Sequence, residues 1–450
     1  MDAITAYLEN HAEPESAVAG RVSATFGHAI EIPAYGERES LVRTLASVPR
    51  GPRGDVLIVV VLNARRNSPP EVHEANAVAR EMFAALGSPE VLSETPDVRL
   101  YPDPRGRVLV IDRATDASYL PPGQGVGLAR KAGCDLVLRL RTLGRVLSPW
   151  IHATDADVEL PADYFEQVAG LDPETTSGAI YSFEHRFPAE ESLATAGRLH
   201  EISLRYMTLG LAWAGSPYAY QTLGSCLAVP ARAYAAVGGF PKTDAVEDVR
   251  ILDALARDGA IERLAGAPIL LDGRISDRVP ISTGKSLSEI VRRPDSEASY
   301  LLPHPLAFAH LAAWIRVLDA LARRGAVALL AELPRGNPFF RADLLEEALE
   351  GMGAFDAVRA VIHEPGDARE VLHRLHGWFD AFRTKELLEA LAKGGFAKLP
   401  YRQALTEAPF TGLVDSTDED LEFLRRALAE RERELAVHPA GVPPLLPEGA

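Results

Sequence analysis

The stretch Asp55-Val-Leu-Ile-Val-Val-Val-Leu62 constrains the fold more than any other. After Asp55 it is continuously apolar and largely β-branched. Period-two alternation is missing, so it does not read as a strand with one wet face. It is too short to cross a membrane as a helix. Runs of this kind belong to central strands of parallel sheets, covered on both faces by helices. The flanking sequence supplies the helices. Residues 26–32 read as a strand that ends at Pro33, and 37–47 as a helix with Leu41, Leu45 and Val48 at helical spacing. A helix over 72–86, a strand over 107–112, a helix over 125–139, a strand end at 150–153 and a fifth strand at 179–184 continue the alternation. The expected fold class is α/β, a Rossmann-like, mostly parallel sheet flanked by helices.

After about residue 290 the strand patterns stop, and Leu, Ala, Glu and Arg dominate. Residues 306–321, 341–352, 368–382 and 418–435 carry apolar residues at helical spacing. Thr417, three residues before Asp420, offers a capping box for the last of these. The expected organisation is an N-terminal extension (1–25), an α/β domain (26–290), an α-helical C-terminal domain (291–437) and a Pro-rich tail (438–450).

Charge narrows the function. Lys plus Arg is 47 and Asp plus Glu is 63, a formal net charge of −16 in 450 residues. An acidic chain is a poor partner for nucleic acid, so none is expected. Two cysteines, Cys134 and Cys226, make neither a disulfide framework nor a four-thiolate zinc site; their apolar settings mark buried reduced thiols. Residues 1–14 carry acids and no Lys or Arg, unlike a signal peptide. Arg316, Asp319, Arg323 and Arg324 interrupt the most apolar long stretch, 305–333, so no transmembrane segment and a cytoplasmic setting are expected.

Three segments carry chemistry. In Ile151-His-Ala-Thr-Asp155-Ala-Asp157, an apolar strand end delivers two carboxylates one residue apart, a hard oxygen site suited to Mg²⁺ or Mn²⁺. In Ile30-Glu-Ile-Pro33-Ala34-Tyr35-Gly36-Glu37, a strand gives way to a loop at its carboxyl end, where open α/β sheets bind ligands. In Gly238-Gly-Phe240 followed by Glu247-Asp248, an exposed carboxylate pair opens a helix whose apolar face is Val249, Leu252 and Leu255. Helix-dipole stabilisation alone explains acids there; the same pair offers a general base for a hydroxyl nucleophile.

In this order the segments, with Gly125-Val-Gly127-Leu-Ala-Arg130-Lys-Ala-Gly133 between them, resemble glycosyltransferase family 2, the GT-A nucleotide-sugar transferases, over roughly residues 26–280. The resemblance implies a nucleotide-diphosphate sugar donor, a hydroxyl acceptor and a Mn²⁺ or Mg²⁺ cofactor. It implies that Pro33, Ala34, Tyr35 and Glu37 line the nucleoside pocket and that Asp155 contacts the ribose or base side. Asp157, with Asp155, would hold the metal on the diphosphate. Asp248 would be the base that makes the reaction inverting, with Glu247 as the lesser candidate. Family members often carry Asp at the end of the second strand to read the base; here Asn63 stands there, followed by Arg65 and Arg66, which leaves the base open. The Gln-x-x-Arg-Trp motif of processive synthases is absent, so a non-processive transferase is expected.

Arg278 and Lys285 are candidates for the diphosphate, and His185, Trp213 and Tyr218 for the acceptor. Thr283-Gly-Lys285-Ser is not a P-loop, since Val279 occupies the first glycine position. Leu128 breaks the Gly-x-Gly-x-x-Gly dinucleotide pattern that Gly123, Gly125 and Gly127 suggest. His152 reads as a core histidine, and His373 and His376 as surface or capping residues. The C-terminal helices are expected to cover the acceptor side or to build a homo-oligomer interface. The alternatives are a retaining GT-A synthase acting on a glycerate-type acceptor and a non-catalytic nucleotide-binding scaffold. The anomer of the product separates the first, and the joint presence of Asp155, Asp157 and Asp248 argues against the second. A sugar nucleotidyltransferase would need a Gly-rich basic signature that residues 33–40 lack.

Overall fold

The computed structural model of the protein describes residues 2–274, 283–293, 295, 297–324, 339–413 and 418–442. The chain divides into two compact units. One takes Met1–Phe187, Thr222–Leu255 and Ile261–Lys285; the other takes Pro188–Gln221, Ala256–Ala260 and Ser286–Ala450. The chain passes between units repeatedly, where the sequence suggested one cut near 290.

The first unit begins with α1 (Ala3–Asn10) and a 3-10 turn (Pro14–Arg21), then β1 (His28–Ala34), α2 (Glu39–Ser47), β2 (Val56–Asn63) and α3 (Pro70–Ala84). There follow β3 (Glu90–Glu94), β4 (Asp97–Asp103), β5 (Gly106–Arg113), α4 (Val126–Thr142), β6 (Trp150–Ala153), β7 (Val158–Glu159), β8 (Thr176–Ile180) and β9 (Phe183–Arg186). After α5 (Glu191–Trp213) come β10 (Leu227–Pro230), α6 (Ala231–Ala236), α7 (Glu247–Asp258), β11 (Ala260–Arg263) and β12 (Ile269–Asp272). Nine of the described strands make one sheet in the order β11-β8-β10-β6-β1-β2-β5-β4-β3. Its centre, β6-β1-β2-β5, is parallel. Antiparallel strands extend it on both sides: β10 on β6 and β8, β4 on β5 and β3. Every residue of β1 and β2 is buried, as the apolar run requires.

Helix α4 lies tight against this centre for a reason written in its glycines. A Cβ at Gly133 would fall 2.4 Å from Glu31 Cγ, and one at Gly127 would fall 2.2 Å from the Pro241 carbonyl oxygen. Only glycine permits those approaches. Residues 2–21, read as an extension, pack against the same helix. The buried Asp135 carboxylate of α4 accepts hydrogen bonds from Tyr7 Oη (2.7 Å), the Glu13 amide (2.8 Å) and Tyr234 Oη (2.9 Å). The strand expected over 179–184 is two strands in different sheets: β8 ends at Ile180 in the large sheet, and β9 pairs with β12. Cys134 and Cys226 are buried and are not joined in a disulfide.

The second unit is helical. With α5 it contains most of α8 (Thr283–Val291), α9 (Pro305–Arg324), α10 (Ala342–Gly351), α11 (Ala354–His363), α12 (Ala368–Trp378), α13 (Ala381–Gly394), α14 (Tyr401–Glu407) and α15 (Leu421–Glu434). A two-residue pairing of β13 (Leu301–Leu302) with β14 (Leu399–Pro400) is its described sheet. Leu199, Ile202 and Tyr206 of α5 share one core with Phe308, Leu311 and Trp314 of α9. By length and composition α9 would cross a membrane, but 67% of its apolar window is buried inside the protein, as in a core helix. The helix expected over 368–382 is interrupted: α12 ends at Trp378, and Asp380 caps α13 by accepting from the Arg383 amide. Thr417 lies outside the described residues; a capping box is formed by Asp367 and Glu370 at the start of α12. Asp420 caps α15, accepting from the Phe423 amide at 2.7 Å. His376 corrects its surface reading: it is 3% exposed and sits in the core, while His373 is exposed.

Candidate active site

Strands β1, β2 and β6 run parallel, and their carboxyl ends carry Ala34, Asn63 and Ala153. The connections leave β1 to opposite sides, to β2 and toward β6, which makes this end of the sheet a topological switch point. After Ala34 the chain turns at Gly36, whose φ of +67° and close approach to Val72 require glycine. Tyr35 packs beside Ala64, Val72 and Ala114, with its hydroxyl 3.1 Å from Ser68 Oγ. Pro33 and Ala34 are buried in register with Val61 and Leu62. Asn63 is also buried, and its amide nitrogen donates to the Ala34 and Val61 carbonyls at 3.1 and 3.2 Å. That donor group ties the two strand ends together.

The centre of the site is Arg130, a residue whose role the sequence did not disclose. Only 2% exposed, it reaches from α4 to three carboxylates. Its guanidinium lies 3.1 Å from Glu247 and 3.6 Å from Glu31, and it forms a close ion pair with Asp155. It also donates to the Thr154 carbonyl at 3.2 Å and lies over the Phe240 ring, 5.9 Å from the centroid. A Cβ at Gly224 would come within 2.5 Å of the guanidinium, so a glycine is needed there too. Burial works against the charge on Arg130, but Asp155, Glu31 and Glu247 hold it well above the usual arginine range. Glu31 is fully buried; burial outweighs Arg130 and pushes its carboxyl up to about 8.

The second aspartate has its own arginine. Arg274, just after β12, donates to Asp157 Oδ2 from Nη2 (2.7 Å) and Nε (3.2 Å), and to Glu37 Oε1 from Nη2 (2.7 Å). Burial and the like charge of Asp155 raise the Asp157 carboxyl to about 6, against the pull of Arg274.

The Glu247-Asp248 pair opens α7 as expected, but it is not an exposed pair: Glu247 is 5% exposed and committed to Arg130. Asp248 Oδ1 accepts from the Val249 amide (2.8 Å) and Oδ2 from the Gly224 amide (3.1 Å). Burial first, and then the neighbouring Glu247, raise its carboxyl to about 7. Val246, immediately before the pair, is held at φ +58°, a left-handed conformation that a β-branched residue resists.

Other candidates fall elsewhere. Arg278 lies outside the described residues; Lys285 is exposed near the start of α8. Arg65 pairs with Asp244, and Arg66 with Asp116 at 2.7 Å. His185, on β9, is buried between the rings of Phe183 and Phe187. Trp213 and Tyr218 belong to the second unit: Trp213 is half exposed beside Phe410, and Tyr218 is buried with its hydroxyl donating to the His376 carbonyl at 2.9 Å. His152 is fully buried, 3.0 Å from Tyr181 Oη, a core histidine as read.

Asp155 and Asp157 suit a divalent cation in chemistry. Both are hard oxygen donors, and their side chains keep 38% and 29% of their exposure. Among the described residues no cluster of three or more ligating side chains forms a closed metal cage. One or two carboxylates, completed by water and substrate phosphates, is how Mg²⁺ is usually held.

No protein-family profile matches the chain. No curated protein matches it. Among solved structures it is similar to the mannosyltransferase PcManGT of Pyrobaculum calidifontis in complex with GDP-Man and Mn²⁺, at 13% identity over 87% of this chain and 92% of that one, TM-score 0.32. It is similar also to S. aureus TarS 1-349 in complex with UDP-GlcNAc, at 10% identity over 92% and 91% of the two chains, TM-score 0.33. Likeness at this level carries neither substrate nor mechanism across.

Proposed function

We propose that the protein is a non-processive nucleotide-sugar glycosyltransferase that moves a sugar from a nucleoside-diphosphate donor to a hydroxyl acceptor with inversion. One observation carries the reading. Asp155, from the end of β6, and Glu247-Asp248, from the start of α7, are gathered around the single guanidinium of Arg130. A donor-side carboxylate and a base-side carboxylate thereby share one rigid support.

The roles follow from placement. The loop after β1 offers Tyr35 and Glu37 to the nucleoside, beside Asp155. Asp155 and Asp157 would hold Mn²⁺ or Mg²⁺, which when bound supplies positive charge opposite the diphosphate. Asp248 takes the proton of the acceptor hydroxyl. The acceptor oxygen then bonds to the anomeric carbon on the face opposite the diphosphate, whose bond to that carbon breaks, inverting the centre. A carboxyl raised to about 7 suits this task, because a general base works best when its pKa lies near the operating pH. Glu247, fixed on Arg130, keeps that value high rather than acting itself.

The test is thermal stabilisation against a panel of nucleoside diphosphates and their sugars, with and without Mn²⁺ or Mg²⁺. A ligand that binds the folded state alone raises the melting temperature. A metal-dependent rise for one base, followed by an inverted product from that donor, is the expected result. No rise with any nucleotide would overturn the reading.

A further inference from the structure

We propose that Arg274 is a resident counter-cation of Asp157 and Glu37 that a divalent metal must displace, so that this chain binds free Mn²⁺ weakly by design of its own sequence. The inference rests on the assignment of Asp157 to a cation site in the proposed function, but not on any sugar being transferred.

The geometry gives Arg274 the place a cation would take. Its guanidinium bridges two carboxylates from different elements, 2.7 Å from each, one after β6 and one after β1. Both bonds to Asp157 end on the same oxygen, Oδ2. Two carboxylates facing one positive group repel each other once it is removed, and a divalent ion relieves that repulsion better than a monovalent one. The arginine is also able to leave. Its side chain is 39% exposed, in contrast to Arg130 at 2%. The pair is only partly buried, with Asp157 at 29% and Glu37 at 10%, so solvent reaches the guanidinium and screens it more than it does the fully buried Arg130 cluster. The backbone holds its base in place, the Arg274 amide donating to the Asp272 carbonyl at 3.0 Å. The same arm, once off Asp157, presents a planar fork suited to a phosphate group. Asp155 does not share this property, because its partner is buried and fixed by two further acids.

The experiment is titration of the full chain with Mn²⁺ alone, followed by calorimetry and by the loss of the free-ion electron paramagnetic resonance signal. Arg274→Gln should bind Mn²⁺ about tenfold more tightly than the unaltered chain. The gain should vanish in the Arg274→Gln/Asp157→Asn double variant. Unchanged or weaker Mn²⁺ binding in Arg274→Gln, or a gain that survives Asp157→Asn, overturns the proposal. A second readout needs no variant. With Mg²⁺ added to the unaltered chain, the Arg274 Nε–H resonance should shift as the ion pair opens, and an unmoved resonance at Mg²⁺ saturation overturns the proposal. Failure of the glycosyltransferase reading is seen separately, as the absence of any nucleotide-dependent rise in melting temperature.

Discussion

Each unit of the molecule buries an arginine among acids, and the two clusters differ in charge balance. In the first, Arg130 alone meets Glu31, Asp155 and Glu247. In the second, the fully buried Glu201 is shared between Arg205 at 2.8 Å and Arg425 at 2.9 Å. Arg205 reaches on to Glu432 at 2.6 Å and Arg425 to Glu422 at 2.6 Å, so that cations and acids alternate between α5 and α15. Glu422 also meets Arg198 at 3.4 Å and Arg426 at 2.7 Å, so the second cluster sets four cations against three acids and has no acid excess, which is what a structural fastening needs. The first has more acid than base, so burial and repulsion push Glu31 up to about 8. Excess acid in a buried place destabilises a fold unless something else is gained. Under the proposed function the gain is a site for a divalent cation and donor at the carboxyl ends of the parallel strands.

Substitution at the two arginines should break the comparison most sharply. Arg130→Met strands acids that have no other described cation, and should cost about 3–5 kcal/mol in urea denaturation along with all turnover. Arg205→Met leaves Glu201 with Arg425, and should cost about 1–3 kcal/mol. Equal losses would mean that charge balance is not what separates the clusters.

Asp248→Asn is next. It keeps the shape of α7 and its bond from Gly224, and should lower turnover about a hundred- to ten-thousandfold while the donor-induced rise in melting temperature persists. Normal turnover would remove Asp248 from the role of base.

The paired glutamates sharpen the contrast further. Glu31 has a folded pKa raised above its unfolded value, so its contribution to stability is present below about pH 4.5 and is lost as pH rises toward 8. Glu31→Gln should therefore gain on the unaltered chain between pH 5 and pH 8, by on the order of 2 kcal/mol in denaturation midpoints. Glu201→Gln should lose stability at both values, because it removes the shared acceptor of two arginines.

The smallest effect concerns the pH profile. With the Asp248 carboxyl at about 7, turnover should climb through neutrality and level off as the base deprotonates. Glu247→Gln removes the second cause of that shift after burial, and should move the inflection to lower pH by less than about one unit. An inflection that stays in place would assign the shift to burial alone.

Much of this was legible in the residues. The apolar run became β2, and the Asp155–Asp157 pair stands directly after β6 where a strand end was read. What escaped was whatever depends on distance in the chain. Arg130 and Arg274 look like ordinary charged residues until folding brings them beside Asp155 and Asp157. Glu247 read as exposed because a first-turn acid usually is; its burial comes from Arg130, far away in sequence. The edge strand β3 and its neighbour β4 were missed because they are rich in charged residues and contain or border prolines, as strands at a sheet edge that resists aggregation tend to be. The break at residues 181–182 was hidden because both sides have the same apolar character, and only pairing partners distinguish them.

The connectivity of the second unit sets a timetable for synthesis. Helix α5 leaves the ribosome before any part of α9, α12 or α15 exists, yet its Leu199, Ile202 and Tyr206 belong to their shared core. Domains ordinarily fold as units while the chain emerges. This chain must instead hold an unpartnered apolar helix through the making of residues 214–304 and beyond. An expression fragment that stops near residue 290 would make that interval permanent, leaving α5 available to aggregate or to recruit a chaperone.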